Sequence, residues 1–165
     1  MVISTAMQNA INEQINAELY SAYLYLAMAA YFDSVNLPGC ASWMKAQAKE
    51  EQSHAMKFYH YIVERGGRVS LKAIGVPPAE WKSALDAFST AYKHEQHVTD
   101  RINKLVELAE KLKDPATTAL LTWFVNEQVE EENNASTIVA QLKMIKESTG
   151  ALFMLDHHLG KRGKE

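Results

Sequence analysis

Glu51 and His54 stand three residues apart in Glu50-Glu51-Gln52-Ser53-His54, inside a long proline-free run of helix-forming residues. On a helix that spacing puts carboxylate and imidazole on one face, one turn apart. A buried carboxylate beside an imidazole is costly unless a proton or a metal ion compensates the charge. A second acidic segment, Asn126-Glu127-Gln128-Val129-Glu130-Glu131-Glu132, lies in another helical stretch, and Glu18 and Glu95 interrupt the apolar stripes of two more. Four helices that each turn an acid inward, one with a Glu-x-x-His pair, describe a di-metal carboxylate site in a four-helix bundle.

Any one of these acids has an ordinary reading, because a lone acid on a helix is normally solvated. The run Glu130-Glu131-Glu132 alone would be a surface face, and His94, Gln96 and His97 make the neighbourhood of Glu95 polar. Agreement in level separates them from that background. All four acids fall near the middle of their helices, so they can meet. Carboxylate oxygens with one imidazole suit iron or manganese, and a site without thiolate argues against structural zinc. Glu51 has two oxygens and can bridge two metals, with Glu18 and His54 serving one and Glu95 and Glu131 the other. Gln128 is placed to hydrogen-bond or weakly ligate the pair. Tyr25, a heptad beyond Glu18, shares its face and can hydrogen-bond a ligand or donate an electron. Two adjacent ferrous ions can each give one electron to dioxygen, so the chemistry read from the residues is oxidation of Fe(II) in pairs.

The elements that position these residues follow from periodicity and punctuation. Prolines occur only at positions 38, 77, 78 and 115, and glycines cluster near 39, 66–67, 75 and 150. The first helix runs from about Ser4 to Asp33, with Ile11, Ile15, Glu18, Ala22, Tyr25, Ala29 and Phe32 on one face. The second starts near Pro38 and stops at Gly66-Gly67, with Met44, Gln47, Glu51, His54, Phe58 and Ile62 inward. The third begins near Ala79-Glu80-Trp81 and ends by Lys113, with the stripe Phe88, Tyr92, Glu95, Val98 or Thr99, Ile102, Leu105 and Leu112. Asp114-Pro115 reads as an N-cap with proline at the first helical position. The fourth helix carries Leu121, Phe124, Gln128, Glu131, Ala135, Ile138, Leu142 and Ile145 inward and ends at Gly150. A short apolar helix follows, over about 149–160. Short turns join the first pair and the last pair, which favours antiparallel neighbours. The connection from Arg68 to Pro78 is long enough to cross the bundle from end to end, since an extended chain covers about 3.3 Å per residue. The expected organisation is one domain over 1–165: a bundle at about 4–146, the short helix, and a basic tail at 161–165.

Composition excludes several classes. With 165 residues, 47% hydrophobic and 22% charged, the chain can bury one substantial core. A net charge of -3 and a pI of about 6.1 give no basic face for nucleic acid. Lys161, Arg162 and Lys164 read as a solvated tail. Cys40 is the only cysteine, so an intramolecular disulfide is impossible and a reducing compartment fits. The N-terminal residues show no secretion signal, and no apolar run reaches the ~20 residues of a membrane span. The expectation is a cytoplasmic protein with no membrane and no nucleic-acid partner. His60, His97, His157 and His158 read as surface or packing residues. Tyr20, Tyr23, Tyr31, Phe32 and Trp43 exceed what one inward stripe needs, which marks an interface. The segment Leu152 to Leu159 is too short to stand alone as a helix, so its apolar side must be covered.

These motifs carry a resemblance. Asn12-Glu13-Gln14-Ile15-Asn16-Ala17-Glu18-Leu19-Tyr20-Ser21, Glu50-Glu51-Gln52-Ser53-His54-Ala55-Met56, Tyr92-Lys93-His94-Glu95 and Asn126-Glu127-Gln128-Val129-Glu130-Glu131 resemble the prokaryotic non-haem ferritins over essentially the whole chain. The resemblance implies an all-α, ferritin-like four-helix bundle with one long crossover connection and a short fifth C-terminal helix. It implies a first iron position at Glu18, Glu51 and His54 and a second at Glu51, Glu95 and Glu131. A third, nearer the cavity, would map to Glu50, Glu127, Glu130 and Glu131. It further implies ferroxidase activity with dioxygen or peroxide and a hollow shell of twenty-four subunits storing ferric mineral, with the short helices meeting at fourfold axes. Animal ferritins lack the carboxylate at the position of Glu131, so the chain sides with the prokaryotic group. Bacterioferritin would carry a histidine where Glu130 stands and a haem-binding methionine where Gln52 stands, so no haem is expected. A single cysteine excludes a rubredoxin module, and the first helix has no histidine of the mini-ferritin kind. The alternative of another class is a di-iron oxidase acting on an organic substrate, which would need an apolar pocket beside the metals.

Overall fold

The computed structural model describes residues 1–164; Glu165, the last residue of the expected tail, lies outside the described residues. It contains five helices: α1 Thr5–Ser34, α2 Pro38–Glu64, α3 Ala84–Lys111, α4 Pro115–Ile145 and α5 Thr149–Leu159, with no strand among the described residues. Local chemistry sets most ends. Ser4, Ser83, Asp114 and Ser148 each accept a backbone N–H three residues ahead, from Met7, Asp86, Thr117 and Ala151.

Two boundaries differ from the sequence reading. Helix α3 starts at Ala84 rather than near Ala79–Trp81. Ser83 is fully extended and caps the helix, while the Asp86 carboxylate accepts the Lys82 N–H at 2.9 Å, which fixes the last residues of the connection outside the helix. Because α3 ends at Lys111, Leu112 is a C-cap and exposed rather than part of the stripe. Helix α4 ends at Ile145, not Gly150. Lys146 takes a positive φ of 50° that breaks the helix, and Gly150 lies in the first turn of α5.

The connection over residues 65–83 climbs along α1. Ile3 N–H donates to Arg65 O at 2.9 Å, and Arg68 N–H donates to Gln8 Oε1 at 3.0 Å. Asn12 exchanges hydrogen bonds with Arg68 O and Ser70 N, and Asn16 reaches Lys72 O and Ala73 O. Trp81 finally packs on Tyr31, with ring centroids 5.7 Å apart. The polar residues of α1 thus satisfy the backbone groups of a segment that has no secondary structure of its own. The climb delivers α3 to the far end of α1, so α3 runs antiparallel to α1 and parallel to α2. That is the one-crossover topology.

The apolar core falls into two clusters. One holds Tyr25, Met28, Phe32, Met44, Phe88 and Leu142, and the other Met7, Ile11, Ile15, Phe58, Ile102 and Phe124. Phe58 and Phe124 stack at 4.0 Å in the second. Each of the four long helices leaves a gap between the clusters, and the gaps hold Glu18, Glu51 with His54, Glu95, and Gln128 with Glu131, all buried. A polar layer therefore crosses the middle of the bundle.

The aromatic surplus has a different explanation from the one read in the sequence. Tyr31, Phe32 and Trp43 are buried in the chain's own core, and Tyr20 is partly buried against it; of the five, only Tyr23 is exposed. Trp81 from the crossover and Leu152, Leu155 and Leu159 from α5 join the cluster that covers them. Helix α5 is fastened at the start of α2, where Leu37 offers no side-chain cap. Asp156 replaces it, accepting Gly39 N–H at 3.1 Å and Cys40 N–H at 2.7 Å. The approach is close: a Cβ on Gly39 would lie 1.7 Å from Asp156 O, so only glycine fits.

This remote cap predicts that Asp156→Ala costs about 1–2 kcal/mol, the range for loss of an N-cap, while Asp156→Asn costs less. Chemical denaturation of all three proteins checks it. Equal midpoints would show that the α5 contact is dispensable.

Candidate metal centre

Inside the polar layer the backbone presents each acid from a different helix. Glu18 comes from α1, Glu51 and His54 from α2, Glu95 from α3 and Glu131 from α4. Ligand atoms of Glu18, Glu51 and His54 lie within 4.8 Å of one another, as do those of Glu51, Glu95 and Glu131. Glu51 belongs to both groups. The two groups consist of the same residues that the sequence reading assigns to a first and a second position. His54 turns Nδ1 towards Glu51 Oε2 at 3.1 Å and Glu18 Oε2 at 4.0 Å. Its Nε2 faces Glu127 Oε1 at 3.6 Å on the other side of the ring.

Neutral amides hold the carboxylates. Gln14 donates to Glu18 Oε1 at 2.9 Å, and Gln47 donates to both Glu51 Oε1 at 3.0 Å and Glu131 Oε2 at 2.8 Å. Gln128 donates to Glu95 Oε2 at 3.1 Å, and the Tyr25 hydroxyl donates to Glu95 Oε1. Among the described residues one buried side-chain oxygen has no hydrogen-bond partner: Glu18 Oε2, directed at the gap before His54 Nδ1. A buried orphan oxygen is rare, and a cation in that gap is what would satisfy it.

The electrostatics agree. Burial, and then the neighbouring Glu51, push the Glu18 carboxyl well above the usual carboxylate range. Glu51 is raised by burial and by Glu95, and Glu95 is raised by its own burial. Glu131 is raised to about 8 by burial and then by Glu95. Burial also raises the Tyr25 phenol, so Tyr25 is a donor and not a phenolate at neutral pH. Without a cation the layer holds protons, and a bound divalent ion must displace them. Four carboxylates and one imidazole form a hard donor set that fits iron or manganese.

The remaining residues read from the sequence sit on the flank. Glu127 is half-buried and shares a possible ligand group with His54 and Glu131. Glu50 and Glu130 are exposed and join none of the close groups among the described residues. Glu50 is instead ion-paired with Arg162 at 2.9 Å. Arg162 is therefore docked, not loose: it also lies over the Trp43 ring, 4.3 Å from its centroid. Sequence reasoning missed Gln14 as a supporting group, although it precedes Glu18 by four residues, as Gln47 precedes Glu51. An inward Gln four residues before an inward Glu is the signal that would have found both. It also missed Arg101, which donates to Gln14 Oε1 at 3.0 Å, and Thr99, which donates to Glu132 at 2.6 Å.

An antiparallel bundle with one long crossover and a buried Glu/His cluster defines the ferritin-like class. The family model for the ferritin-like domain matches residues 8–145. Curated relatives include the bacterial non-heme ferritin of Bacteroides fragilis, 43% identical over 98% of this chain and all of the relative. That of Staphylococcus aureus is 38% identical over 98% of this chain and 97% of the relative. Among solved structures, an open-pore ferritin from Archaeoglobus fulgidus superposes with a TM-score of 0.96 at 54% identity, covering 97% of this chain and 99% of that one. The chain belongs to the ferritin-like family, in its prokaryotic non-haem branch.

The raised carboxyl of Glu131 makes a signed prediction. The folded, metal-free protein binds more protons than the unfolded chain between about pH 4.5 and pH 8. Its stability therefore falls as pH rises through that window. Thermal unfolding in chelator should show the parent losing ground to Glu131→Gln as pH rises from 5 to 8. A difference that stays flat would mean that this carboxyl ionises in the ordinary range.

Proposed function

We propose that the chain is a ferroxidase and iron store, oxidising Fe(II) at the cluster and holding the ferric product inside a homo-oligomeric shell. The observation that carries the reading is the pair of ligand groups sharing Glu51, set in a buried layer with one orphan oxygen. Iron is the substrate here. Glu18 and His54 would hold one ferrous ion and Glu95 with Glu131 the other, with Glu51 between them. Four carboxylates neutralise two divalent cations, so ferrous loading balances the layer once its protons leave. Two Fe(II) lose one electron each, and dioxygen takes both with two protons to give hydrogen peroxide, which can serve as a second oxidant. The ferric pair then exceeds the charge of its ligands, which favours oxide and hydroxide binding and movement outward. Tyr25, hydrogen-bonded to Glu95, places a phenol beside this step, and Gln128 keeps Glu95 in place.

Glu127, beyond the outer nitrogen of His54, with Glu131 beside it and Glu50 and Glu130 on the exposed flank, would make a third position on the way out. We assign the chain a shell of 24 copies, as the resemblance implies. Tyr23 and Leu26 on α1, Leu71 and Val76 on the crossover, and Phe153 and Met154 on α5 are exposed apolar groups that such contacts would cover. No helix among the described residues is long and apolar enough to cross a membrane, and the proposed setting is the cytoplasm.

Stopped-flow mixing of aerobic buffer with two Fe(II) per chain tests the activity. Glu51→Ala should lose roughly tenfold or more of the initial rate, and His54→Ala less, because Glu51 serves both ions. The metal-free Glu51→Ala protein should be as stable as the parent or more so, since a buried acid is gone. A parent-like rate in Glu51→Ala would refute the shared ligand. Light scattering tests the shell: the expected mass is twenty-four times the 18.5 kDa chain, and a stable monomer or dimer at neutral pH would leave only the ferroxidase.

A further inference from the structure

Arg162 follows α5 by three residues and lies more than a hundred residues from Glu51, yet one continuous chain of hydrogen bonds joins them. Its Nη2 donates to Gln47 Oε1 at 2.9 Å and to Glu50 Oε2 at 2.9 Å. Its Nη1 donates to the Trp43 carbonyl at 3.3 Å, and the guanidinium plane lies over the Trp43 ring. Gln47 is 1% exposed, and both hydrogens of its amide nitrogen are spent, one on Glu51 and one on Glu131. Those two acids come from α2 and α4 and would share the second iron position.

An amide has two orientations related by a half-turn, and the nitrogen and oxygen exchange places between them. Only one orientation here gives Glu51 and Glu131 a donor. The other would set the amide oxygen against two carboxylates. The guanidinium, always charged and without any acceptor, accepts nothing from the amide nitrogen, so it selects the productive orientation. A planar fork also fixes direction, since Gln47, Glu50 and Trp43 take three separate N–H groups of one rigid plane.

We propose that Arg162 is a positioning residue for the iron site, acting through the Gln47 amide on Glu51 and Glu131. The C-terminal segment is thereby part of the site's geometry, although it contributes no ligand. The same Nη2 holds Glu50, so the segment also ties the flank acid to the buried layer. A parallel relay supports the design: Arg101 donates to Gln14, which donates to Glu18. Arginine outside, glutamine between and glutamate inside recur on two faces of the layer.

The inference rests on the ferroxidase reading only for its rate. A second readout is independent of turnover: the visible absorption of Co(II) added without oxygen, which reports ligand geometry. The variants are Arg162→Met, which keeps most of the stem over Trp43, and Gln47→Leu, with their double mutant. Lys161→Ala, an exposed neighbour on the same tail, is the control. Arg162→Met and Gln47→Leu should each slow initial Fe(II) oxidation by about tenfold, a usual cost of losing an outer partner of a metal ligand. Both should shift the Co(II) bands in the same sense, and the double mutant should be no worse than the poorer single. Lys161→Ala should match the parent. Parent-like rates and Co(II) bands in Arg162→Met, with Gln47→Leu impaired, would overturn the proposal. Additive losses in the double mutant would overturn it too. Should Arg162→Met fail to assemble, a chain ending at Gly160 keeps α5 and its Asp156 cap and is read by the same two measurements against the same criterion. A parent that binds Co(II) but does not oxidise Fe(II) would sink the ferroxidase reading, while the Co(II) bands would still decide the relay.

Discussion

Four carboxyl groups at one level of an apolar bundle repel one another, and packing alone cannot relieve that repulsion. Glu18, Glu51, Glu95 and Glu131 are each at most 3% exposed. Such groups persist only if protons or cations neutralise them and if dipoles hold them in place. The chain meets the second requirement with neutral donors, Gln14, Gln47, Gln128 and Tyr25. Neutral donors orient acids without cancelling their charge, which leaves the layer attractive to a divalent cation. Had lysine or arginine entered the layer instead, the ion pairs would satisfy the acids and nothing would remain to bind.

The rest of the fold serves that layer. Two apolar clusters close it from above and below, so each long helix carries a core on both sides of its acid. The crossover sets α3 antiparallel to α1, which brings His94 to Ser21 at 2.7 Å and Glu95 to the Tyr25 hydroxyl. Burial, and then His97, lower the His94 pKa to about 4, so this neighbour adds no positive charge to compete at neutral pH. The end of the chain returns to the start of α2, with Asp156 capping Gly39 and Cys40 and Arg162 reaching Gln47. Helix α5 is thus joined to the helix that supplies both Glu51 and His54.

What the sequence made legible was whatever depends on near neighbours. An acid at a stripe position is visible because helical periodicity says which way it points, and the Glu-x-x-His spacing adds a turn. Glu18, Glu51, His54, Glu95 and Glu131 were found that way, and the structure brings them together. Connection lengths disclosed the crossover for the same reason. Most of what escaped depends on segments remote in sequence; the support of Gln14 and the start of α3 are local exceptions. The cap of α2 comes from Asp156, and the amide of Gln47 is set by Arg162; neither pairing leaves a local trace. The buried ring of Trp43 looks like surplus in the sequence because the groups covering it, Arg162 among them, arrive from the far end of the chain. The start of α3 falls a turn later than periodicity places it because Ser83 caps the helix and Asp86 accepts the Lys82 N–H, a competition that periodicity does not register.

On the proposed function, two cations share Glu51 inside one chain. Anaerobic crystals loaded with Fe(II) and measured on both sides of the iron absorption edge test it directly. Two anomalous peaks are expected in the polar layer of each chain, one touching Glu18, Glu51 and His54 Nδ1 and the other touching Glu51, Glu95 and Glu131. A single peak, or two peaks that leave Glu51 uncoordinated, would contradict it.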